Sequence, residues 1–272
     1  MASPPNPLIE SIETHLLGRV GLSFDRWASR TGWSRDHADN YCWRCGGSVG
    51  PHETDGEGCA GCRKKPVPWD RAIRLSRYHG VVRDEILALK FHAWRPTGVG
   101  LGKHLGWAIR ERREQAGIEP DQAMVVPIPT HRFRRMARGV DHTLVLARAA
   151  GGELGCPVRR VLRARHRPEQ VGLSATARAA NIRGAFVVQE KLLKRALGGN
   201  GQPVRLWILI DDVRTTGATF AAASRALRKG LRKAGDGGKS QIWACCVGVA
   251  GEKRRLLDPE MDREAGDGYN PG

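Results

Sequence analysis

Residues 208–219 have the sequence ILIDDVRTTGAT, and this segment indicates more about the architecture than any other part of the chain. The apolar run from Leu206 to Ile210 has the length and composition of a buried strand. Two carboxylates, Asp211 and Asp212, follow it, and a hydroxyl-rich turn then leads into a helix that begins at Thr219. A buried strand that passes through a tight turn into a helix is the repeating unit of a parallel sheet.

The same alternation of strand and helix patterns continues on both sides of this segment. Further apolar runs of strand length extend from Met124 to Ile128 and from Ile242 to Val249. Apolar residues recur at helical spacing from Val82 to Leu89 and from Leu101 to Ile109. Asp141 can cap a further helix that runs through Leu144 and Ala147. Strands that alternate with amphipathic helices predict an α/β fold, in which helices cover both faces of a mainly parallel sheet.

The turn after the acidic pair has the composition of a phosphate-binding loop. Backbone N–H groups at the turn and at the start of the helix can hold a phosphate, and the helix dipole favours the negative charge. Gly217 allows close backbone approach, while Asp211 and Asp212 can accept from ribose hydroxyls or support Mg²⁺. Further hydroxyl donors stand at Thr215, Thr216 and Thr219. The segment therefore favours a sugar phosphate ligand, and an ordinary strand–turn–helix crossing with a capping Asp is the structural alternative.

Four of the seven cysteines form two matched pairs, Cys42-x2-Cys45 and Cys59-x2-Cys62. This spacing is typical of a structural zinc site, in which four thiolates lie about 2.3 Å from the metal. The segment between the pairs is rich in Gly, Pro, Asp and Glu, so we expect it to be disordered without metal. An iron–sulfur cluster and a redox dithiol are the alternatives, although a dithiol needs only one pair. His52, between the pairs, is expected to be a loop residue.

Composition then suggests a division of the chain into four parts. These are an N-terminal helical extension (1–40), a zinc-binding module (41–66), the α/β domain (67–250) and a flexible tail (251–272). The extension has a helical apolar face from Leu8 to Val20, which either the α/β domain or a partner could cover.

The chain is strongly basic, with a net charge of +17 and a pI near 10.3. This balance predicts attraction to nucleic acid, phosphorylated metabolites or an anionic surface, and a solubilising surface is the competing explanation. Residues 131–183 contain twelve Arg and no Lys. That density suits a lid that closes on pyrophosphate, a track for a nucleic-acid backbone, or a solvated helix face. Residues 225–239 carry six more cations, which at helical spacing more often form an exposed face.

The odd number of cysteines and the lack of a secretory signal argue against an exported disulfide scaffold. There is also no apolar run of about 18 residues, so we expect no membrane span. The sequence predicts a cytoplasmic protein with reduced thiols.

Residues 208–219 resemble the phosphoribosyl pyrophosphate (PRPP) signature of type I phosphoribosyltransferases, where an acidic pair follows apolar residues and precedes a short Thr/Gly loop. Arg214 departs from that signature, which usually has an apolar residue there. The resemblance implies a type I phosphoribosyltransferase-like parallel sheet flanked by helices, and binding of PRPP with Mg²⁺. The implied contacts are a catalytic pair at the ribose, Asp211 and Asp212, then Arg214, Thr215, Thr216, Gly217, Ala218 and Thr219 at the 5-phosphate, and Pro127 and Arg132 at the pyrophosphate.

Taken with the cysteine module, several motifs of residues 41–250 resemble the competence protein F (ComF) family in sequence order. Tyr78-His79-Gly80 begins a helix that ends in Leu89-Lys90-Phe91. A strand ending in Pro127-Ile128-Pro129 is followed by His131 and Arg132. A departure follows Arg138-Gly139, because the family typically continues Phe-Asn-Gln and this chain has Val140-Asp141-His142.

The ComF resemblance implies a role in the uptake or processing of transforming DNA inside the cell. One hypothesis is an enzyme that transfers ribose 5-phosphate from PRPP to an acceptor that the sequence does not identify. The other is a non-catalytic competence protein that binds single-stranded DNA and keeps the fold. Partners implied by the resemblance are PRPP, single-stranded DNA and other DNA-uptake proteins.

Overall fold

The computed structural model describes Phe24, Ala28, Ser29 and the ranges 32–91, 95–130, 141–165, 184–198 and 202–250. Among these residues the strands are β1 (Thr54–Asp55), β2 (Gly58–Cys59), β3 (Arg71–Arg77), β4 (Ala123–Pro127), β5 (Leu162–Ala164), β6 (Phe186–Val188), β7 (Leu206–Arg214) and β8 (Gln241–Val249). The helices are α1 (Ala60–Lys64), α2 (Gly80–Phe91), α3 (Arg95–Gln115), α4 (His142–Leu154), α5 (Glu190–Leu197) and α6 (Ala218–Lys233). Short 3-10 turns cover Ala38–Asn40 and Pro120–Gln122.

A four-stranded parallel sheet forms the centre of the molecule, in the order β3-β8-β7-β4. Ile208 of β7 pairs with Val125 of β4 on one side and with Trp243 of β8 on the other. Because β7 and β8 have neighbours on both edges and helices on both faces, their sequences are continuous apolar runs. The predicted α/β fold with a parallel sheet is confirmed.

The central strand β7 extends beyond its apolar run. Its pairing with β8 continues through Val213 and Arg214, which lie opposite Gly248 and Val249. The acidic pair therefore lies inside the strand, where backbone hydrogen bonds hold it in a fixed position.

Helices cover the sheet on both faces, which gives the molecule two cores. Alternate residues of β7 point to opposite faces, so Ile208 belongs to one core and Trp207 to the other. Residues of α2, α3 and α4 fill the first core, and residues of α5 and α6 fill the second. Phe24 is buried in the first core, so this residue of the N-terminal extension packs on the α/β domain. The face from Leu8 to Val20 lies outside the described residues.

The longest contact between helices joins α3 and α4, and glycines allow it. A Cβ added to Gly102 would lie 2.6 Å from Ala149 Cβ and 2.7 Å from the Leu146 carbonyl oxygen. Such distances leave no room for a side chain, so the two backbones approach more closely than larger residues permit. Within the described ranges, no helix is both long and apolar enough to cross a membrane.

Candidate functional site

The four predicted metal ligands converge on one point. The Sγ atoms of Cys42 and Cys62 are 3.8 Å apart, and those of Cys45 and Cys59 are 3.7 Å apart. All four sulfur atoms lie within 4.8 Å of one another. Four thiolates in a tetrahedron around zinc, with Zn–S bonds of about 2.3 Å, are about 3.8 Å apart. The cluster therefore fits the predicted structural zinc ion.

Two tight backbone turns build this cluster. The Cys59 N–H donates to Cys42 Sγ at 3.3 Å, and the Gly47 N–H donates to Cys45 Sγ at 3.4 Å. A Cβ on Gly58, whose φ is +93°, would lie 3.3 Å from Cys42 Sγ, so glycine is needed there.

The thiols of the cluster differ in acidity. A hydrogen bond from the Cys45 thiol and backbone donors lower the pKa of Cys42. Burial raises the pKa of Cys62. A bound divalent cation would stabilise all four groups as thiolates, which is the form that ligates zinc.

One buried arginine, Arg74 of β3, connects the cysteine module to the sheet through side-chain hydrogen bonds. Its side chain is 1% exposed; Nη1 donates to the Gly46 carbonyl at 3.0 Å, and Nη2 donates to Ser48 Oγ at 2.8 Å. Asp36 neutralises the guanidinium at 2.8 Å, and the ring of Tyr41 lies beneath it at 5.2 Å. Arg74 was not predicted from the sequence, because a lone Arg in an apolar run gives no indication of its partners.

The acidic pair of β7 lies at the carboxyl edge of the sheet, and Asp212 is held by two side chains. Its Oδ2 is 2.9 Å from Lys90 Nζ of α2 and 2.9 Å from His142 Nε2 of α4. Burial alone would raise the pKa of Asp212, but the His142 hydrogen bond and the Lys90 charge hold it below its usual value. Asp212 is therefore a buried anion with its charge already neutralised.

Asp211 has a different environment. Burial and the adjacent charge of Asp212 raise the pKa of Asp211 well above its usual value. Its Oδ1 accepts a hydrogen bond from the Asp212 N–H at 3.0 Å. The ligand atoms of His142, Asp211 and Asp212 all lie within 4.8 Å of one another. Asp211 is half-buried and Asp212 is buried, so Asp211 is the more accessible of the two carboxylates.

In the sequence, Lys90 and His142 are recognisable only as parts of family motifs. Lys90 lies at the end of α2, and His142 occupies the position where the family typically has Gln. Their convergence on one carboxylate depends on the packing of α2 and α4 against the same face of the sheet, which sequence spacing does not reveal.

The turn after β7 combines exposed hydroxyls with the start of a long helix. Thr215 and Thr216 are exposed, and Thr216 Oγ1 accepts from the Ala218 N–H at 3.4 Å. Gly217 precedes α6 with a φ of +77°, a conformation that favours glycine. The predicted loop residues Thr215, Thr216, Gly217, Ala218 and Thr219 thus surround the N-terminus of α6.

Two further predicted residues have different positions. Pro127 ends β4 opposite Ile210, so it lies at the same sheet edge as the acidic pair. The Arg214 guanidinium donates to the Thr215 carbonyl at 3.2 Å and packs beside the turn. Arg132 lies outside the described residues, as do many of the arginines in residues 131–183.

Fold and site together define an α/β protein with a parallel sheet and an attached four-cysteine metal module. No protein-family model matches the chain. Competence protein F of Haemophilus influenzae is 29% identical over 191 residues, which cover 70% of this chain and 79% of that protein. DNA utilization protein YhgH of Salmonella typhimurium and of Escherichia coli is 28% identical over 192 residues, 69% of this chain and 77% of each relative.

The chain therefore resembles the competence protein F (ComF) family over about 70% of its length. The motif resemblance found in the sequence is thereby confirmed.

Proposed function

We propose that the chain is a PRPP-binding, phosphoribosyltransferase-like protein that serves the uptake or processing of DNA. One observation carries the PRPP part of this proposal: Asp211 and the exposed threonine turn lie at the carboxyl edge of a parallel sheet, next to the N-terminus of α6. In open α/β sheets this edge is where ligands bind. The DNA part follows from the names of the relatives, competence protein F and DNA utilization protein.

Different residues of the site would contact different parts of PRPP. Amides at the start of α6 and the threonine hydroxyls would hold the 5-phosphate, because both are donors aimed at an anion. Asp211 would accept from the ribose hydroxyls, while Asp212 stays paired with Lys90 and His142. Pro127 and Arg132 would face the pyrophosphate, whose charge Mg²⁺ would neutralise.

Turnover would break the bond between ribose C1 and the pyrophosphate oxygen. Pyrophosphate leaves with the bonding electrons, the acceptor forms the new bond to C1, and the acceptor loses a proton. Positive charge develops on the ribose, so an anionic Asp211 would stabilise the transition state through the hydroxyls it holds.

Calorimetric titration with PRPP, with and without Mg²⁺, tests the proposal. Asp211→Asn should weaken PRPP binding about ten- to a hundredfold, since it removes a charge-assisted hydrogen bond. Asp84→Asn changes an exposed acid of α2 and should bind like the wild type. If the wild type shows no PRPP binding with Mg²⁺ present, the PRPP assignment is wrong.

A second candidate function is binding of single-stranded DNA on the outer surface of α5 and α6. This basic surface carries the exposed cations Lys191, Lys194, Arg195, Arg225, Lys229, Arg232, Lys233 and Lys239. Glu190 is 3.8 Å from Lys233. The remaining excess of positive charge is complementary to a phosphate backbone.

Fluorescence anisotropy with a labelled oligothymidine at several salt concentrations tests this candidate. Lys194→Gln/Arg195→Gln should weaken binding and lower the slope of log K against log salt by about 0.7 for each phosphate that the variant no longer neutralises. Arg83→Gln, on α2 across the sheet, is the matched control. Absence of binding at low salt would exclude this function.

A further inference from the structure

A single buried tryptophan joins the cysteine cluster to the candidate phosphate turn. Trp69, 4% exposed, lies two residues before β3. Its Nε1 donates to the carbonyl of Arg44, inside the first cysteine pair, at 2.7 Å. At the far end of the indole, Cη2 would lie 3.1 Å from a Cβ added to Gly217. The ring thus spans the distance from the metal cluster to the turn.

A second contact connects the same two sites. A Cβ added to Gly46, next to Cys45, would lie 3.9 Å from Arg214 Nε and 3.4 Å from Ala72 Cβ. The Arg214 side chain also packs against Gly217 and donates to the Thr215 carbonyl. The backbone at the first cysteine pair is therefore close to the Arg214 side chain and is linked to Gly217 through Trp69.

We propose that Trp69 couples metal occupancy of the cysteine cluster to the conformation of residues 214–219. With four thiolates on the metal, the carbonyl of Arg44 and the backbone of Gly46 are fixed, and the indole holds the Gly217 backbone. Loss of the metal would release the first cysteine pair and with it the support under the turn. Trp69 is a positioning residue in this arrangement.

The proposal deepens the PRPP assignment, on which its ligand-dependent part rests. Coupling between two sites is reciprocal. If metal in the cluster raises the affinity of the turn for its ligand, a ligand in the turn must raise the affinity of the cluster for the metal by the same factor. We expect the higher metal affinity to appear as slower metal release, because affinity differences between related complexes lie mostly in the dissociation rate.

The first test uses zinc-loaded full-length protein without PRPP. Hydrogen–deuterium exchange of the peptide containing residues 214–219 is compared among the wild type, Trp69→Phe and Trp43→Phe. Trp69→Phe keeps a ring but removes the donor to Arg44, so exchange in that peptide should quicken about fivefold. Trp43→Phe removes an indole donor that bonds Asp55 within the module and should leave the peptide unchanged. Equal exchange in Trp69→Phe and the wild type would overturn the proposal.

Wild-type protein provides an independent version of this test should Trp69→Phe fail to fold. Zinc is removed with a chelator and then restored, while exchange of the same peptide is followed. Exchange should rise on removal and return on reloading. Unchanged exchange on removal contradicts the coupling.

The second test follows transfer of zinc from the protein to a chromogenic chelator, with and without PRPP and Mg²⁺. PRPP should slow transfer about fivefold in the wild type and have no effect in Trp69→Phe, an outcome that a merely structural role would not give. Calorimetry reports PRPP binding in the same samples. Binding without slower transfer contradicts the coupling alone. Absence of PRPP binding contradicts the proposed function, and the exchange measurements then decide the coupling.

Discussion

At the scale of single residues, two adjacent carboxylates of β7 have opposite electrostatic environments. Asp212 lies between Lys90 and His142, each at 2.9 Å, and its pKa is lowered. Asp211 has its pKa raised by burial and by the charge of Asp212. Neighbouring acids whose environments push their pKa values apart are typical of functional sites. Under the proposed function, this difference favours a supporting role for Asp212 and ligand contact by Asp211.

Lys90→Met should destabilise the protein by about 3 kcal/mol, because it leaves a buried carboxylate with one of its two partners. Urea unfolding measures this loss. Arg83→Met, which breaks the exposed 3.2 Å pair with Asp84 on the same helix, should change the unfolding free energy by less than about 0.5 kcal/mol. Similar losses in the two variants would contradict the support role of Lys90.

Asp211→Asn should stabilise the protein at neutral pH. Because the pKa of Asp211 is raised in the folded state, its carboxyl ionises at lower pH in the unfolded chain than in the folded protein. The free energy of unfolding therefore falls as pH rises above about 4, the ordinary pKa of an Asp in an unfolded chain. The variant should therefore be more stable than the wild type at pH 7. The gain should vanish near pH 4.

Urea unfolding of both proteins at pH 4, 5.5 and 7, without Mg²⁺ or PRPP, measures this difference. A stability difference that does not change with pH would contradict the raised pKa. Together with weaker PRPP binding, the gain would identify Asp211 as a residue kept for function at the expense of stability.

At the scale of elements, the glycines of α3 set the distance to α4. Gly98, Gly102 and Gly106 follow each other at four-residue spacing, so they lie along one side of the helix. Added Cβ atoms would meet Val145 Cγ1 at 2.9 Å, Ala149 Cβ at 2.6 Å and Glu153 Cβ at 2.8 Å, respectively. This contact positions α4, whose first residue is His142, against the sheet.

Gly102→Ala should therefore destabilise the protein by about 1–3 kcal/mol, the range for inserting a methyl group into a packed interface. Thermal unfolding measures the change. Gly152→Ala in α4 is the control: nothing lies within 4 Å of its added Cβ, so the better helix propensity of Ala should give a gain of about 0.5–1 kcal/mol. A gain in both variants would show that the interface is looser than its distances indicate.

At the scale of the whole molecule, the cysteine module and the end of the N-terminal extension together cover an edge of the central sheet. The Ala72 N–H of β3 donates to the Trp43 carbonyl at 2.8 Å, and the Leu75 carbonyl accepts from the Asp36 N–H at 2.6 Å. These bonds occupy the edge of β3 that faces away from β8. An uncovered edge strand is a template for pairing with another chain, so we expect this cover to protect the sheet from aggregation.

Cys45→Ser should lower the zinc content from one ion per chain and reduce stability by at least about 2 kcal/mol, a shift of about 4–8 °C in Tm. Metal analysis and calorimetry measure both, and light scattering should detect association through the freed edge. Cys156→Ser alters a buried cysteine outside the cluster and should retain the metal. Full stability of zinc-free protein would contradict a structural role for the cluster.

Local patterns in the sequence determined the strands at the centre of the sheet and the four cysteines that converge. Hydrophobic periodicity and ligand spacing are short-range signals, so the structural roles of Ile208 and Cys42 can be predicted from the residues next to them in the sequence. The acidic pair and the threonine turn were also found in this way, as one contiguous segment, and their role in PRPP binding stays a prediction.

Only the tertiary structure decided which side chains surround that segment. Lys90 and His142 meet at Asp212, Arg74 reaches into the cysteine module, and Trp69 lies between Arg44 and Gly217. The partners in each contact are far apart in the chain, and packing of helices and the module against the sheet sets their distances. The sequence shows which chemical groups the chain contains, whereas the tertiary structure determines which groups contact one another.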